Sequence, residues 1–194
     1  MDPESIARTS SLLANARKNS TIVPEIPAAD APQSIDDGYA LQAVLHENIK
    51  KSGNGYLAGW KIGATTASMQ AYLGVDGPAY GRIVNYNIYS SDIELPATGF
   101  VNPGIECEIA VRIGDVSTTG VHSRDSVVEI IDAVLPAMEI VENRYGNFLA
   151  RNTPTLIADD FFHKACVIGN EVLDWQDIDL AAISGRTSID GVNK

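Results

Sequence analysis

The most constraining feature of the sequence is an alternating segment, Pro103 to Ile113, that carries two embedded glutamates. Apolar side chains occupy every second position from Ile105 onward, and Glu106 and Glu108 lie between them. This period of two predicts a β-strand with one apolar face and with both carboxylates on the opposite face. Two carboxylates on one face of a strand repel each other unless they share a proton or a cation.

A third glutamate, Glu139, lies alone in a second apolar segment, residues 134–141. A single carboxylate is costly to bury without a compensating partner. If Glu139 lies beside Glu106 and Glu108, one divalent cation would offset that cost, and an all-oxygen site favours Mg²⁺ or Mn²⁺ over zinc. The alternative is that Glu106 and Glu108 occupy the solvent side of a half-exposed sheet and bind no metal.

Composition excludes several classes of function. The chain has 194 residues, enough for one domain with a proper core, and its 45% hydrophobic content is ordinary for a globular protein. A formal charge of −11 argues against nucleic acids and anionic membranes as partners. No long apolar run and no basic-then-apolar amino terminus occur, so we expect neither a membrane span nor a secretory signal. Cys107 and Cys166 lie in apolar segments and are expected to be reduced core residues of a cytoplasmic protein.

The amino-terminal part of the chain is predicted to be helical. We expect residues 1–52 to form a helical region and residues 53–194 a β-rich core of the same domain. The first helix is predicted over 2–19, and the second from Ser34 or Asp36 to Lys51, with Ser34 and Asp37 in the pattern of a capping box. His46, in the second helix, is expected to be partly exposed rather than a ligand.

The remaining segments are predicted from their hydrophobic period and their turn residues. A helix from Ser123 to about Ala133 would connect the two glutamate-bearing strands as a crossover. Residues 143–160 are predicted to be a long loop, where functional residues tend to gather. A short helix capped by a threonine is expected within 65–73. Further strands are expected at 56–63, 78–83, 85–93, 165–169 and 175–182. Turns are expected at 53–55 and 114–116, and a turn-rich tail is expected at 184–194.

Four motifs follow one another across nearly the whole chain. They are Gly59-Trp60-Lys61-Ile62-Gly63-Ala64-Thr65, Leu73-Gly74-Val75 with Pro78-x-Tyr80-Gly81, Glu106-x-Glu108, and Leu135-Pro136-Ala137-Met138-Glu139-Ile140. With the segment Gly38 to Gln42, they resemble the 2-keto-4-pentenoate hydratase and 4-oxalocrotonate decarboxylase family, which belongs to the fumarylacetoacetate-hydrolase superfamily. The resemblance implies an α+β fold, with a mixed β-roll or barrel-like core and a helical amino-terminal region.

The resemblance also implies a function. Glu106, Glu108 and Glu139 match the family's ligands for Mg²⁺ or Mn²⁺, and Lys61 matches its active-site lysine. The implied activity is that of a metal-dependent lyase of aromatic catabolism, a hydratase or a decarboxylase, acting on a small 2-oxo acid through a metal-stabilised enolate. Lys61 would add charge stabilisation or orient the substrate carboxylate. We expect such a protein to be a cytoplasmic homo-oligomer.

Further site residues are predicted beside the metal ligands. Four residues are candidates for substrate binding: Lys61, Leu73, His163 and Lys164. Of these, His163 and Lys164 would together bind a substrate carboxylate through their positive charge. His163 is also a candidate catalytic group, because an imidazole suits proton transfer near neutral pH. The alternative is that His163 and Lys164 are only a loop pair at the entry to a strand.

Three departures from the family pattern leave other functions open. Ala79 stands where the family has an acidic residue, and the family's small and hydroxyl residues are replaced within 159–165. Family members also continue beyond the equivalent of Lys194, so their carboxy-terminal strands are apparently lacking here. The alternatives are an acylpyruvate-type C–C bond hydrolase with His163 as base, and a non-catalytic relative that binds a 2-oxo acid or a partner enzyme.

Overall fold

The structure is a computed structural model that describes residues 1–53, 55–114, 122–123 and 125–194. Its helices are α1 (Pro3–Asn19), α2 (Ile35–Lys51), α3 (Ala67–Leu73) and α4 (Thr153–Ala158). Its strands are β1 (Leu57–Gly63), β2 (Ala79–Val84), β3 (Ile88–Ser90), β4 (Pro103–Ile113), β5 (Ile131–Glu142), β6 (His163–Ile168), β7 (Ser188–Ile189) and β8 (Val192–Asn193). No helix of the described residues is long and apolar enough to cross a membrane.

The two amino-terminal helices form where the sequence predicts them. Asp2 caps α1 by accepting hydrogen bonds from the backbone N–H groups of Glu4 and Ser5. Ser34 and Asp37 form the predicted capping box at the start of α2. The short helix α3 is also confirmed, with Thr66 as its amino-terminal cap and Gly74 in the left-handed conformation after it.

The main sheet is mixed and has four strands in the order β3-β6-β5-β4. β3 runs parallel to β6, whereas the β6–β5 and β5–β4 pairs are antiparallel. β1 and β2 form a separate antiparallel pair, and β7 and β8 form a short one near the end of the chain. The architecture is therefore a mixed α/β fold in which β5, the strand with Glu139, is central.

The prediction of a crossover helix between the two glutamate-bearing strands is wrong. Residues Val127–Ile130 form only a short 3-10 helix, and β5 begins immediately at Ile131. β4 and β5 are then direct antiparallel neighbours. The paired apolar residues suggested a helical period, but Val and Ile are β-branched and fit a strand better. The turns predicted at 53–55 and 114–116 lie partly outside the described residues.

Other segment predictions need correction. The loop predicted at 143–160 contains α4, which starts where the Asn152 side chain accepts the Thr155 N–H and which has a proline in its first turn. No strand forms at 175–182, where the described chain has a 3-10 helix at Leu180–Ala182. The strand predicted at 85–93 is limited to β3, after a 3-10 turn. The tail at 184–194 contains the β7–β8 pair.

The apolar face of β4 is half exposed rather than buried. Ile105 is 51% exposed and Ile113 is 47% exposed, and Met138 on neighbouring β5 is 42% exposed. Cys107 is exposed and Cys166 is only partly buried, so the prediction that both are core residues is wrong. β4 is an edge strand. Apart from the contact of Cys107 Sγ with Thr187 Oγ1, the described residues cover this apolar face only partly, and exposed apolar patches commonly mark interfaces.

The core lies instead between α1, α2 and α4, and it encloses a network of charges. Arg17 on α1 pairs with Asp159 at 2.6 Å and with Asp160 at 2.7 Å. Arg144 also pairs with Asp159, at 2.7 Å. His46 Nε2 lies 2.6 Å from Asp160, and the residue is only 8% exposed, so the expectation of a partly exposed His46 is wrong. Because buried charges need partners, this network joins the amino-terminal helices to the segment before β6.

Substituting Asp160→Asn tests this network. Burial alone would raise the pKa of Asp160, but the charge of Arg17 and the contact with His46 hold it at about 2, below the ordinary 3.8. A lowered pKa stabilises the fold above pH 3.8, and that contribution is lost as the pH falls towards 2. We expect Asp160→Asn to lower the free energy of unfolding by about 3 kcal/mol at pH 7. The difference from wild type should shrink on acidification.

Urea unfolding at a series of pH values measures this effect. Asp2 and Asp37 also have pKa values lowered to about 2. Wild type and Asp160→Asn both contain these two residues, so their contributions to the pH dependence cancel when the two stabilities are subtracted. Asp36→Asn, at an exposed position of α2, is the control and should change stability little. A difference between wild type and Asp160→Asn that stays constant with pH would contradict the ionised network.

Candidate metal centre

The register of the β4–β5 pair brings the three glutamates together. Glu106 lies directly opposite Glu139, so both side chains project from the same face of the sheet. Glu108 is two residues further along β4 and points to that face as well. One carboxylate oxygen from each of the three lies within 4.8 Å of the others. The predicted convergence therefore occurs, through direct antiparallel pairing rather than a crossover.

The electrostatics of this cluster suit a cation. Burial, followed by the charges of Glu139 and Glu106, raises the pKa of Glu108 above its ordinary value. Glu106 and Glu108 are exposed, as the solvent-face alternative expects, but Glu139, which clusters with them, is only 6% exposed. A divalent cation would relieve the mutual repulsion, and an all-oxygen donor set fits Mg²⁺ or Mn²⁺. The residues present therefore fit such an ion.

Lys61 points towards the glutamate cluster rather than to solvent. Its Nζ lies 3.3 Å from Oε1 of Glu139, and its side chain is only 9% exposed. The same ammonium lies 5.6 Å from the ring centroid of Phe161. Lys61 is thus a largely buried cation next to the carboxylates, where it lowers the net negative charge that an anionic ligand would meet.

His163 contacts the same carboxylate from the other side. It is the first residue of β6, not part of a loop, and its Nδ1 lies 2.9 Å from Oε1 of Glu139. The imidazole side chain is 1% exposed. Its Nε2 is buried and has no hydrogen-bond partner among the described residues. Such a carboxylate–imidazole contact fixes the ring orientation and leaves one ring nitrogen for another role.

The backbone before His163 adopts an unusual conformation. Asp160, Phe161 and Phe162 all have positive φ angles, of 54°, 52° and 67°. Such angles are uncommon for residues other than glycine and tend to cluster at functional sites. This turn places the Phe161 ring against Gly63, where an added Cβ would lie 3.4 Å from the ring. The strained turn therefore positions Phe161 beside Lys61.

A close backbone contact explains one glycine of the second motif. A Cβ atom added to Gly81 would lie 2.6 Å from the carbonyl oxygen of Asp160, which is too short for a real contact. Only glycine lets β2 approach the turn that precedes His163 this closely. Gly81 in turn lies opposite Lys61 in the β1–β2 pair. The motif residue thus helps to fix the distance between Lys61 and the segment that carries His163.

Two predicted substrate-binding residues lie away from the glutamates. The Leu73 side chain packs against the hydrophobic core, and its carbonyl accepts a hydrogen bond of 2.5 Å from Thr153. Lys164 Nζ donates to Ser20 Oγ at 3.3 Å. Neither Leu73 nor Lys164 makes a hydrogen bond or ion pair with the glutamate cluster in the part of the chain that the structure describes. Their roles in substrate binding stay predictions.

Phe161 was not among the site residues predicted from the sequence, and the family's acidic position has no carboxylate here. Ala79, at the family's acidic position, is 3% exposed and lies within the core. Asp160 is the nearest acid along the chain to Phe161, but its carboxylate is occupied by Arg17 and His46. The neighbouring residues Phe161 and Phe162 were the only sequence feature that suggested an aromatic ring at the site. Which of the two rings lies beside Lys61 depends on the backbone turn and is not encoded in the local sequence pattern.

Comparison with known proteins gives relatives but no matching family model. A 2-keto-4-pentenoate hydratase of Burkholderia vietnamiensis (strain G4 / LMG 22486) is 28% identical over 98% of this chain and 72% of its own length. 2-keto-4-pentenoate hydratase 2 of Dechloromonas aromatica (strain RCB) is 32% identical over 76% of this chain and 55% of its own length. A 4-oxalocrotonate decarboxylase of Pseudomonas putida is 28% identical over 79% of this chain. The chain spans only 58% of that decarboxylase.

A solved structure has the same fold. It is a 4-oxalocrotonate decarboxylase from Pseudomonas putida G7, complexed with magnesium and adipate, which superposes with a TM-score of 0.80 at 22% identity. The match covers 93% of this chain and 68% of that one. A second structure of that enzyme is complexed with calcium and acetate. The predicted resemblance to the hydratase and decarboxylase family is confirmed, and the predicted class, a hydro-lyase or carboxy-lyase, agrees with the names of the relatives.

Substituting Glu108→Gln tests the metal centre. The amide keeps the size of the side chain but removes one negative charge and one strong oxygen ligand. We expect the affinity for Mn²⁺ to fall by at least about a hundredfold, since changes to residues behind the ligands already cost 10–100-fold. Titration of Mn²⁺ into chelator-treated protein, followed by calorimetry, measures it.

The matched control is Glu94→Gln, which makes the same charge change at an exposed position outside the cluster. Its Mn²⁺ affinity should equal that of wild type. Equal affinities of wild type and Glu108→Gln would contradict the proposed ligand set.

Proposed function

We propose that this relative of the 2-keto-4-pentenoate hydratases and 4-oxalocrotonate decarboxylases is a divalent-metal-dependent lyase that acts on a small 2-oxo acid. One observation carries the proposal. Three glutamates have oxygens within 4.8 Å of one another, and Lys61 and His163 both contact the buried one, Glu139. A cation site flanked by a buried ammonium and an imidazole is suited to an anionic substrate that changes its protonation.

Glu106, Glu108 and Glu139 would hold Mg²⁺ or Mn²⁺. When bound, the ion supplies Lewis-acid polarisation of a ketone oxygen. The donor chemistry of the cluster supports this assignment, as does the magnesium in the structure of the related decarboxylase. The contacts of Glu139 with Lys61 and His163 both use Oε1, which leaves Oε2 for the cation.

Lys61 has two roles in this proposal. Three carboxylates and one divalent ion sum to a charge of −1, which would repel an anionic substrate. The ammonium of Lys61 cancels that charge and can donate hydrogen bonds to a substrate carboxylate. Its low exposure, 9%, strengthens both effects because little water screens it. The adjacent Phe161 ring limits the space beside the ammonium and thereby favours a small or planar substrate.

His163 orients Glu139 and provides the nitrogen that can carry a proton. With Nδ1 on the Glu139 carboxylate, Nε2 is the only ring nitrogen left for a proton of the substrate. Nε2 has no partner among the described residues, so no other side chain of that set competes for it. A proton held there would be released or taken up as the substrate changes its bonding.

The environment of Ala79 favours decarboxylation over hydration. Addition of water needs a group that activates the water molecule in addition to the group that moves the substrate proton. The family's acidic residue is replaced by the buried Ala79, and Asp160 is held in ion pairs. Loss of CO₂ needs only a polarised ketone, which a bound divalent ion would supply, and one proton for the carbon that CO₂ leaves, which His163 could deliver.

We further propose the finer features that the resemblance implies. The fold would be of the fumarylacetoacetate-hydrolase type, with helical residues 1–52 and β-rich residues 53–194 in one domain. Contacts such as Arg17 with Asp159 support a single domain. The half-exposed apolar face of β4 supports a homo-oligomer, and the resemblance supports a cytoplasmic location.

Assays with three substrate classes test the proposed function. Metal-loaded protein is given an unsaturated 2-oxo monoacid, whose hydration removes ultraviolet absorbance, and an unsaturated 2-oxo diacid, whose decarboxylation releases CO₂. We expect CO₂ release that requires metal and is lost in Glu108→Gln. An acylpyruvate is given as a third substrate, and its cleavage by water to pyruvate and a carboxylic acid would indicate the hydrolase instead. Metal binding without turnover of any class would indicate a non-catalytic relative and contradict the proposal.

Two substitutions of His163 separate positioning from proton transfer. Asn can keep a donor to Glu139 near the position of Nδ1, but it has no titratable nitrogen. If His163 carries the proton, both His163→Ala and His163→Asn should lower turnover at saturating substrate by about 10²–10⁴-fold. Recovery of turnover in His163→Asn alone would assign only an orienting role, and wild-type turnover in both would remove His163 from the mechanism.

A further inference from the structure

A cavity lies between the amino-terminal helices and the start of β6. Its volume is about 640 Å³, within the range of small-molecule sites. Polar side chains from several elements line it, among them Arg17, Lys18, Asn48, Asn87, Arg144 and Lys164.

The wall of this cavity is cationic in a strongly acidic protein. Arg17, Lys18, Arg144 and Lys164 line it, and no Asp or Glu is among its described lining residues. The chain as a whole has a formal charge of −11. A concentration of positive charge against that average favours an anionic ligand.

Arg144 and Arg17 place largely buried positive charge next to the cavity. Arg144 is 1% exposed, and one of its terminal nitrogens binds Asp159 at 2.7 Å. Its Nε and Nη1 have no acceptor among the described residues, and neither does Nη2 of Arg17. Buried N–H groups without an acceptor are costly, and a guanidinium fork matches the oxygens of a carboxylate or phosphate. These nitrogens are closed off from solvent, so the two guanidinium groups act on the cavity through their charge rather than by direct hydrogen bonds.

Lys164 provides a charge without a carboxylate partner. Its Nζ contacts the Ser20 hydroxyl at 3.3 Å and lies 5.6 Å from the Phe100 ring. No salt bridge links it to a described Asp or Glu. Partial burial lowers its pKa; the charge of Glu142 opposes this, and the charges of Arg144 and Arg17 add to it, so the ammonium is short of counter-charge. A bound anion would supply that counter-charge.

The neighbouring carboxylates are not among the described residues that line the cavity. Asp159 and Asp160 are fully buried in their ion pairs. Glu142 is also fully buried, and its Oε1 accepts the backbone N–H groups of Val101 and Asn102. These acids offset the charges of Arg17 and Arg144, so Lys18 and Lys164 supply the positive charge that the cavity wall itself presents.

We propose that this cavity is a binding site for a small carboxylate or phosphate anion, distinct from the metal centre. None of the three clustered glutamates lines it, and neither does Lys61. His163 belongs to both the cavity and the metal centre, since it lines the cavity and contacts Glu139. The proposal does not depend on catalysis or on metal binding.

Calorimetric titration of metal-free protein tests the site, with succinate and inorganic phosphate as separate probes. We expect saturable binding of at least one probe with a Kd of about 1 mM or tighter. Lys164→Gln should weaken it by at least about tenfold, because a charge-assisted hydrogen bond is lost. Lys18→Gln, at an exposed position of the same wall, should weaken it less. Lys51→Gln, outside the cavity with the same charge change, is the matched control and should bind as wild type does.

The outcomes separate this site from the metal centre. Binding of succinate alone would identify an organic acid as the ligand, and binding of phosphate alone would identify a phosphate. Either result supports the proposal if Lys164→Gln weakens it and Glu108→Gln does not. Absence of saturable binding for both probes, or equal affinities in Lys164→Gln and Lys51→Gln, would overturn it. Mn²⁺ binding can succeed or fail independently of these results.

Discussion

The pairing of Glu106 with Glu139 across two antiparallel strands is the interaction on which the candidate site depends. A shift of the β4–β5 register by one residue would turn one of these side chains to the other face of the sheet. The register is long, running from Pro103 opposite Glu142 to Ile113 opposite Ile131. The ladder therefore fixes a cluster of like charges that is unfavourable by itself and that a cation would make favourable.

The buried carboxylate of Glu139 connects this cluster to the rest of the fold. Lys61 reaches it from β1, and His163 reaches it from β6, so three separate chain segments meet at one Oε1 atom. The turn at 160–162 sets the position of His163, and Asp160 in that turn is tied to Arg17 and His46 of the amino-terminal helices. A change in the helical region could therefore alter the site without touching a metal ligand.

The sequence predicted the parts of the structure that local rules decide. The capping residues at Ser34 and Thr66 located helix starts, and the period of two located β4. The resemblance predicted the three glutamates and Lys61, whereas His163 was predicted from the proton chemistry of an imidazole at a position where the chain departs from the family pattern. The helix predicted at 123–133 failed because apolar pairs of β-branched residues satisfy a helical period and a strand equally well. The burial of His46 and the side chain contacts of Lys164 were not predictable, since both depend on segments more than a hundred residues away in the chain.

The central claim is that the three glutamates form an open metal site that can accept a 2-oxo acid beside the ion. The most direct measurement is calorimetric titration of Mn²⁺ into metal-free protein with and without oxalate, a planar mimic of the enolate of such an acid. We predict a single Mn²⁺ site whose affinity increases when oxalate is present. No Mn²⁺ binding, or binding that oxalate leaves unchanged, would contradict the claim.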